Sequence, residues 1–143
     1  MRRSVTIALS LLFAAGATVA GVATAGASSA SSAAAPKVTV QITSSTKCMP
    51  KSEFCYKPST VTVAPGTRVT FVNKTLTTHT ITRCTAAACA GHDGGTGKQT
   101  GFGSTVAHGA KYSFVFRKAG TYVYYCQIHG YGIMHGAVTV SKA

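Results

Sequence analysis

From residue 38 onward, apolar side chains recur at every second position, and a period of two restricts the chain to strands. VTVQIT (38–43) places Val38, Val40 and Ile42 on one face. STVTV (59–63) follows, then the turn Ala64-Pro65-Gly66, then RVTFVN with Val69 and Phe71 facing one way. KYSFVF aligns Tyr112, Phe114 and Phe116; after a turn at Lys118-Ala119-Gly120, TYVYYC and GAVTV close the chain. No stretch beyond the N-terminal segment carries a helical stripe, and there is no internal repeat. Short alternating strands between Gly- and Pro-marked turns predict an all-β fold, a single antiparallel Greek-key β-sandwich. Residues 84–104, rich in Gly, Ala and Thr, break the alternation and are expected to form a long surface loop.

The N-terminal segment is of a different kind. Residues 1–25 combine Arg2 and Arg3, an apolar run over 5–15 and an A-x-A site at Ala23-Thr24-Ala25, the pattern of a secretory signal peptide. The apolar run is short for a retained membrane span. Residues 26–36, GASSASSAAAP, form a flexible linker, which leaves 37–143 as one domain. Fourteen Lys and Arg against Glu53 and Asp93 give a net charge of +12. The cations are scattered rather than run together, and no helix or RNP-type motif accompanies them, which argues against nucleic-acid binding. For an exported chain, outside the cell, on its surface or in a periplasm, such charge fits acidic partner proteins or an anionic membrane surface.

Five cysteines in an exported chain leave one unpaired. Cys48 with Cys55, and Cys84 with Cys89, close short loops and fit an oxidising compartment best of the three pairings open to four cysteines. Cys126 is then left over, in the stretch YYCQIHGYGIMHG (124–136). Strand alternation places Cys126 on the same face as Tyr122 and Tyr124, at the inner end of its strand. The chain beyond it can turn His129 back toward the sulfur, and Gly130 and Gly132 allow the loop that returns Met134 to the same point. A further ligand must come from another strand. His79, at the start of HTIT, is the candidate; His92, His108 and His135 compete. Structural zinc prefers Cys pairs and no second free thiol remains. Two imidazoles, a thiolate and a thioether suit one copper ion in electron transfer.

The same residues carry a family resemblance. Tyr124-Tyr125-Cys126, His129, Met134, Gly136 and the Val138/Val140 strand resemble the cysteine-loop signature of the cupredoxins, the type 1 blue-copper proteins, with the plastocyanin and pseudoazurin group the nearest. Upstream, STVTVAPGTRVTFVNKTLTTHTIT is similar to that family's approach to its first ligand histidine. The resemblance implies that His79, Cys126, His129 and Met134 bind one type 1 copper per chain and that the protein is no enzyme but a monomeric one-electron carrier. It also implies that the Thr80 N–H donates to the Cys126 sulfur. His129, rimmed by Gly130, Gly132 and Ile133, would be the electron port. Tyr125, facing outward, would be a second exit. Secreted copper delivery to a cuproenzyme is the competing function. A catalytic multicopper role lacks a second copper motif. The chain departs from the family in its two extra cysteine pairs, its 84–104 segment and its basic charge.

Overall fold

The computed structural model describes residues 35–48 and 52–143. The signal peptide and most of the linker expected from the sequence lie outside the described residues. Within them run nine strands, β1 (Lys37–Ser44), β2 (Phe54–Lys57), β3 (Thr60–Val63), β4 (Thr67–Asn73), β5 (His79–Arg83), β6 (Ser104–Val106), β7 (Lys111–Phe116), β8 (Gly120–Tyr125) and β9 (His135–Val140). A single 3-10 turn, Thr46–Cys48, follows β1.

The strands form two sheets, ordered β2-β1-β4-β7 and β3-β9-β8-β5-β6. This is the β-sandwich that the alternation predicts, with mixed rather than purely antiparallel sheets. β1 runs parallel to β4, Val40 opposite Phe71, and β3 runs parallel to β9, Val61 opposite Val138. The β1–β4 pairing follows from the path of the chain. The chain leaves β1 through the β2 hairpin, crosses to the other sheet as β3 and returns as β4 in the direction of β1. Two short strands, β2 and β6, are not evident in the sequence.

Inward-facing residues fill one core: Val40, Ile42, Val69, Phe71, Ile81, Phe116, Tyr122, Tyr124 and Val138 are all fully buried. Tyr56 and Tyr124 meet edge to face at 4.8 Å, and Phe71 meets Tyr124 at 5.2 Å. Burying side chains of this size contributes about 1.5–3 kcal/mol each. Because β8 alternates, Val123 and Tyr125 leave this core and join a second, smaller cluster with Cys84, Cys89 and Tyr131.

Residues between β5 and β6 do form the expected loop, and Cys84–Cys89 closes its base. It lies flat on the sandwich rather than away from it. Gly97 sits so close to the Tyr122 ring that a Cβ there would fall 2.4 Å from the ring. Phe102 turns inward, 8% exposed, with its ring 5.1 Å from Phe116 and 5.9 Å from Tyr124. The Cys48–Cys55 disulfide likewise fastens the turn before β2.

Candidate metal centre

β8 delivers Cys126 to one end of the sandwich, where its side chain is fully buried and, alone among the described cysteines, free. A tight loop follows. The Cys126 carbonyl accepts the N–H groups of His129 and Gly130 at 3.2 and 2.9 Å, and the Gly130 carbonyl accepts that of Met134 at 3.1 Å. The Cys126 N–H then donates to the Met134 carbonyl at 2.9 Å, closing the loop on itself. Gly130 has φ +80°, a left-handed turn that favours glycine, whereas Gly132 takes no such conformation. Of the two glycines expected to permit the loop, Gly130 is therefore the one it requires.

His79 opens β5 and is fully buried; His129 is half-buried. Their rings stack at 5.0 Å. His129 Nδ1 stands 3.3 Å from Cys126 Sγ and His79 Nδ1 stands 3.7 Å from it. One ligand atom from each of the three residues falls within 4.8 Å of the others. Met134 is 1% exposed and packs in the same buried cluster as Cys126. The Thr80 N–H lies 3.4 Å from Cys126 Sγ, the contact that the family resemblance implies.

The surroundings favour ligation at His79 Nδ1. On its far side, His79 Nε2 meets Thr75 Oγ1 at 2.9 Å and Thr77 Oγ1 at 3.1 Å. Thr75 Oγ1 gives its own hydrogen to Asn73 Oδ1 at 2.8 Å, so it accepts from a protonated Nε2 and leaves the Nδ1 lone pair toward the sulfur. Burial, and then the neighbouring His129, lower the His79 pKa from 6.5 to about 4, which keeps the imidazole neutral at ordinary pH. A buried thiol and two imidazole nitrogens turned toward it fit a soft metal better than an oxygen-seeking one.

The family signature of copper binding proteins of the plastocyanin/azurin family matches residues 40–141. The chain belongs to this family, and copper is its cofactor. Solved structures agree with that membership. A purple cupredoxin from Nitrosopumilus maritimus is 25% identical, with a TM-score of 0.54 over 73% of this chain and 99% of that one. A point mutant of amicyanin in its reduced state is 26% identical, with a TM-score of 0.50 over 73% of this chain and 82% of that one. A copper-containing nitrite reductase from Thermus scotoductus SA-01 is 25% identical at a TM-score of 0.54, but 76% of this chain covers only 23% of that enzyme.

The three competing histidines have other partners. His108 Nδ1 donates to the Thr75 carbonyl at 2.5 Å, supporting the loop beneath His79. His92 and His135 both stack on one ring, that of Tyr131, at 4.5 and 4.4 Å, and His135 Nδ1 also donates to the Tyr131 carbonyl at 2.7 Å. Tyr125 departs from expectation. It faces away from the main core, yet it is only 5% exposed, because the Cys84–Cys89 loop and Tyr131 cover it. It offers no open exit.

Two residues of β2 belong to the site and have no counterpart in the sequence reading. Phe54 packs against His79 at 5.0 Å and His129 at 5.3 Å. The Tyr56 hydroxyl donates to the Thr80 carbonyl, on the residue whose N–H meets the Cys126 sulfur. Burial, and then the Cys126 thiol, push the Tyr56 phenol far above its usual pKa, so it stays a donor. The one signal available was the triplet Phe54-Cys55-Tyr56, two aromatics on one face with a disulfide cysteine between them.

Proposed function

We propose that this protein is an exported one-electron carrier in which His79, Cys126, His129 and Met134 hold one copper ion. The observation that carries the reading is a single buried, unpaired cysteine with the Nδ1 atoms of two stacked imidazoles directed at its sulfur. When bound, copper supplies the one-electron change between its two oxidation states. The protein's part is to hold the donors fixed. Asn73, Thr75 and Thr77 lock one histidine, the hydrogen-bonded 126–134 loop locks the other, and the Thr80 N–H draws charge from the thiolate sulfur.

His129 is the ligand nearest solvent, and the exposed Leu76, Ile128 and Ile133 lie on the two loops that carry the histidines. This apolar end is the proposed docking face for redox partners, with Lys74 and Lys111 at its margin favouring an acidic rim on the partner. The covered Tyr125 leaves His129 as the electron port. Two disulfides support export to an oxidising compartment, where the chain works as a monomer. An enzymatic role gains no support from the nitrite reductase likeness, which spans under a quarter of that chain.

The visible spectrum tests this. Oxidised copper-loaded protein shows intense sulfur-to-copper absorption, Cys126→Ser abolishes it, and Met134→Leu keeps it while raising the potential. A loaded protein that stays colourless under oxidant refutes the ligand set, and loss of copper from Met134→Leu would show that Met134 is not the weak ligand proposed here.

A further inference from the structure

Among the described residues, the end of the sandwich opposite the metal centre gathers most of the exposed cations. β1 and β4 begin there, with Lys37 paired to Arg68, and β7 ends there, passing through Arg117 and Lys118 into β8. β9 also ends there, Val140 opposite Gly120, with Lys142 just beyond. The 84–103 loop reaches the same end, where Gln99 Oε1 accepts the N–H groups of Arg117 and Lys118 at 2.7 and 3.4 Å and sets Lys98 beside them. Lys37, Arg68, Lys98, Arg117, Lys118 and Lys142 are all exposed. No acidic side chain sits among them. Glu53 precedes β2 at the metal end, and Asp93 accepts the Gly95 N–H along the flank.

These cations cannot serve electron exchange. β8 alone separates them from Cys126 by six residues, or about 20 Å of extended strand. Electron tunnelling falls exponentially with distance, so a redox partner must dock at the other end. Among the described residues, the basic end also carries no large exposed apolar side chain to form the apolar centre of a protein interface. The large exposed apolar residues, Leu76, Ile128 and Ile133, lie on loops at the metal end. A lipid headgroup surface needs no such centre; diffuse positive charge suffices. The chain also enters the domain here, with the Pro36 carbonyl accepting the Arg68 N–H at 2.9 Å, preceded by a segment whose sequence holds the apolar run 5–15.

We propose that this basic end docks on an anionic lipid bilayer, turning the metal end outward toward redox partners. The docking is electrostatic. It strengthens at low salt and weakens as the screening length shrinks below the spacing of charges and headgroups.

The test uses the full copper-loaded chain and sedimentation with vesicles of phosphatidylcholine alone or with phosphatidylglycerol added. The measured quantity is the ratio of the two partition coefficients, which removes any charge-independent insertion of the N-terminal segment. Each cation near the surface contributes about fivefold to that ratio. Joint Arg68→Gln, Arg117→Gln and Lys118→Gln replacement is therefore expected to lower it about a hundredfold, whereas Lys57→Gln, Lys74→Gln and Lys111→Gln, with the same loss of charge, leave it nearly unchanged. Equal losses from both triple variants overturn the proposal, since net charge alone would then account for binding. A ratio near one for the unaltered chain, with tight binding to poly-glutamate that the first triple variant abolishes, overturns it in favour of an acidic protein. Visible absorption of each variant reports the copper centre separately, so failure of the copper reading remains distinct from failure here.

Discussion

His79 combines full burial, a hydroxyl-bonded Nε2 and an imidazole neighbour, and together these fix its tautomer and its charge. In the unfolded chain it takes a proton near pH 6.5; in the folded, copper-free chain only near 4. Between those values the unfolded state binds more protons, so the contribution of a neutral His79 is complete above 6.5 and is lost as pH falls toward 4. The slope reaches about 1.4 kcal/mol per pH unit for one proton. Urea unfolding of copper-free protein across this window, beside His79→Gln, measures the effect. The unaltered chain should weaken more steeply on acidification than the variant; parallel curves would show that His79 carries no such linkage. Thr75 and Thr77 were present in NKTLTTHTIT, but a sequence cannot show which threonine hydroxyl reaches a ring nitrogen, because that depends on the turn Asn73 builds.

At the scale of elements, the segment between β5 and β6 behaves as part of the core. Phe102 lies among Phe71, Phe114, Phe116, Tyr122 and Tyr124, and Gly97 lets the backbone lie against Tyr122. Phe102→Ala should therefore cost about 3–5 kcal/mol, measured by denaturant unfolding of copper-free protein. A change within about 0.5 kcal/mol, usual for a surface position, would mean the loop contributes no packing. The sequence concealed this for a physical reason. A lone aromatic in a glycine-rich run has no period, and only tertiary contact reveals its direction. The alternating strands were legible because one face of each is buried along its length. The cysteine loop was legible because Cys126, His129 and Met134 are held by a single tight turn whose spacing is local. β2 was not, since its four residues, FCYK, hold a disulfide cysteine and a lysine in place of the Val/Thr alternation that marks the equally short β3, and with it went Phe54 and Tyr56. Tyr125 was read correctly as outward-facing, but its cover comes from Tyr131 and from Cys84 and Cys89, some forty positions earlier in the chain.

At the scale of the whole molecule, the metal centre gathers donors from three neighbouring strands of one sheet and packing residues from the other. His79 comes from β5, Cys126 and His129 follow β8, Met134 precedes β9, and Phe54 and Tyr56 reach in from the opposite sheet. The unfolded chain keeps Cys126, His129 and Met134 near one another but not His79, so copper binds the native state more tightly and stabilises it by mass action. Each tenfold rise in free copper above the dissociation constant adds about 1.4 kcal/mol, and each kcal/mol raises the melting temperature of a domain this size by about 4 °C. Loading at a hundredfold excess over that constant should thus raise melting by about 10 °C. Cys126→Ala should lose most of the increment, because the strongest donor is gone. The Arg68, Arg117 and Lys118 triple variant should keep all of it, because the basic end lies a full strand length away. Calorimetry of the three proteins with and without copper decides the matter: an increment that survives Cys126→Ala would place the metal elsewhere, and one that falls with the triple variant would mean the two ends are energetically coupled.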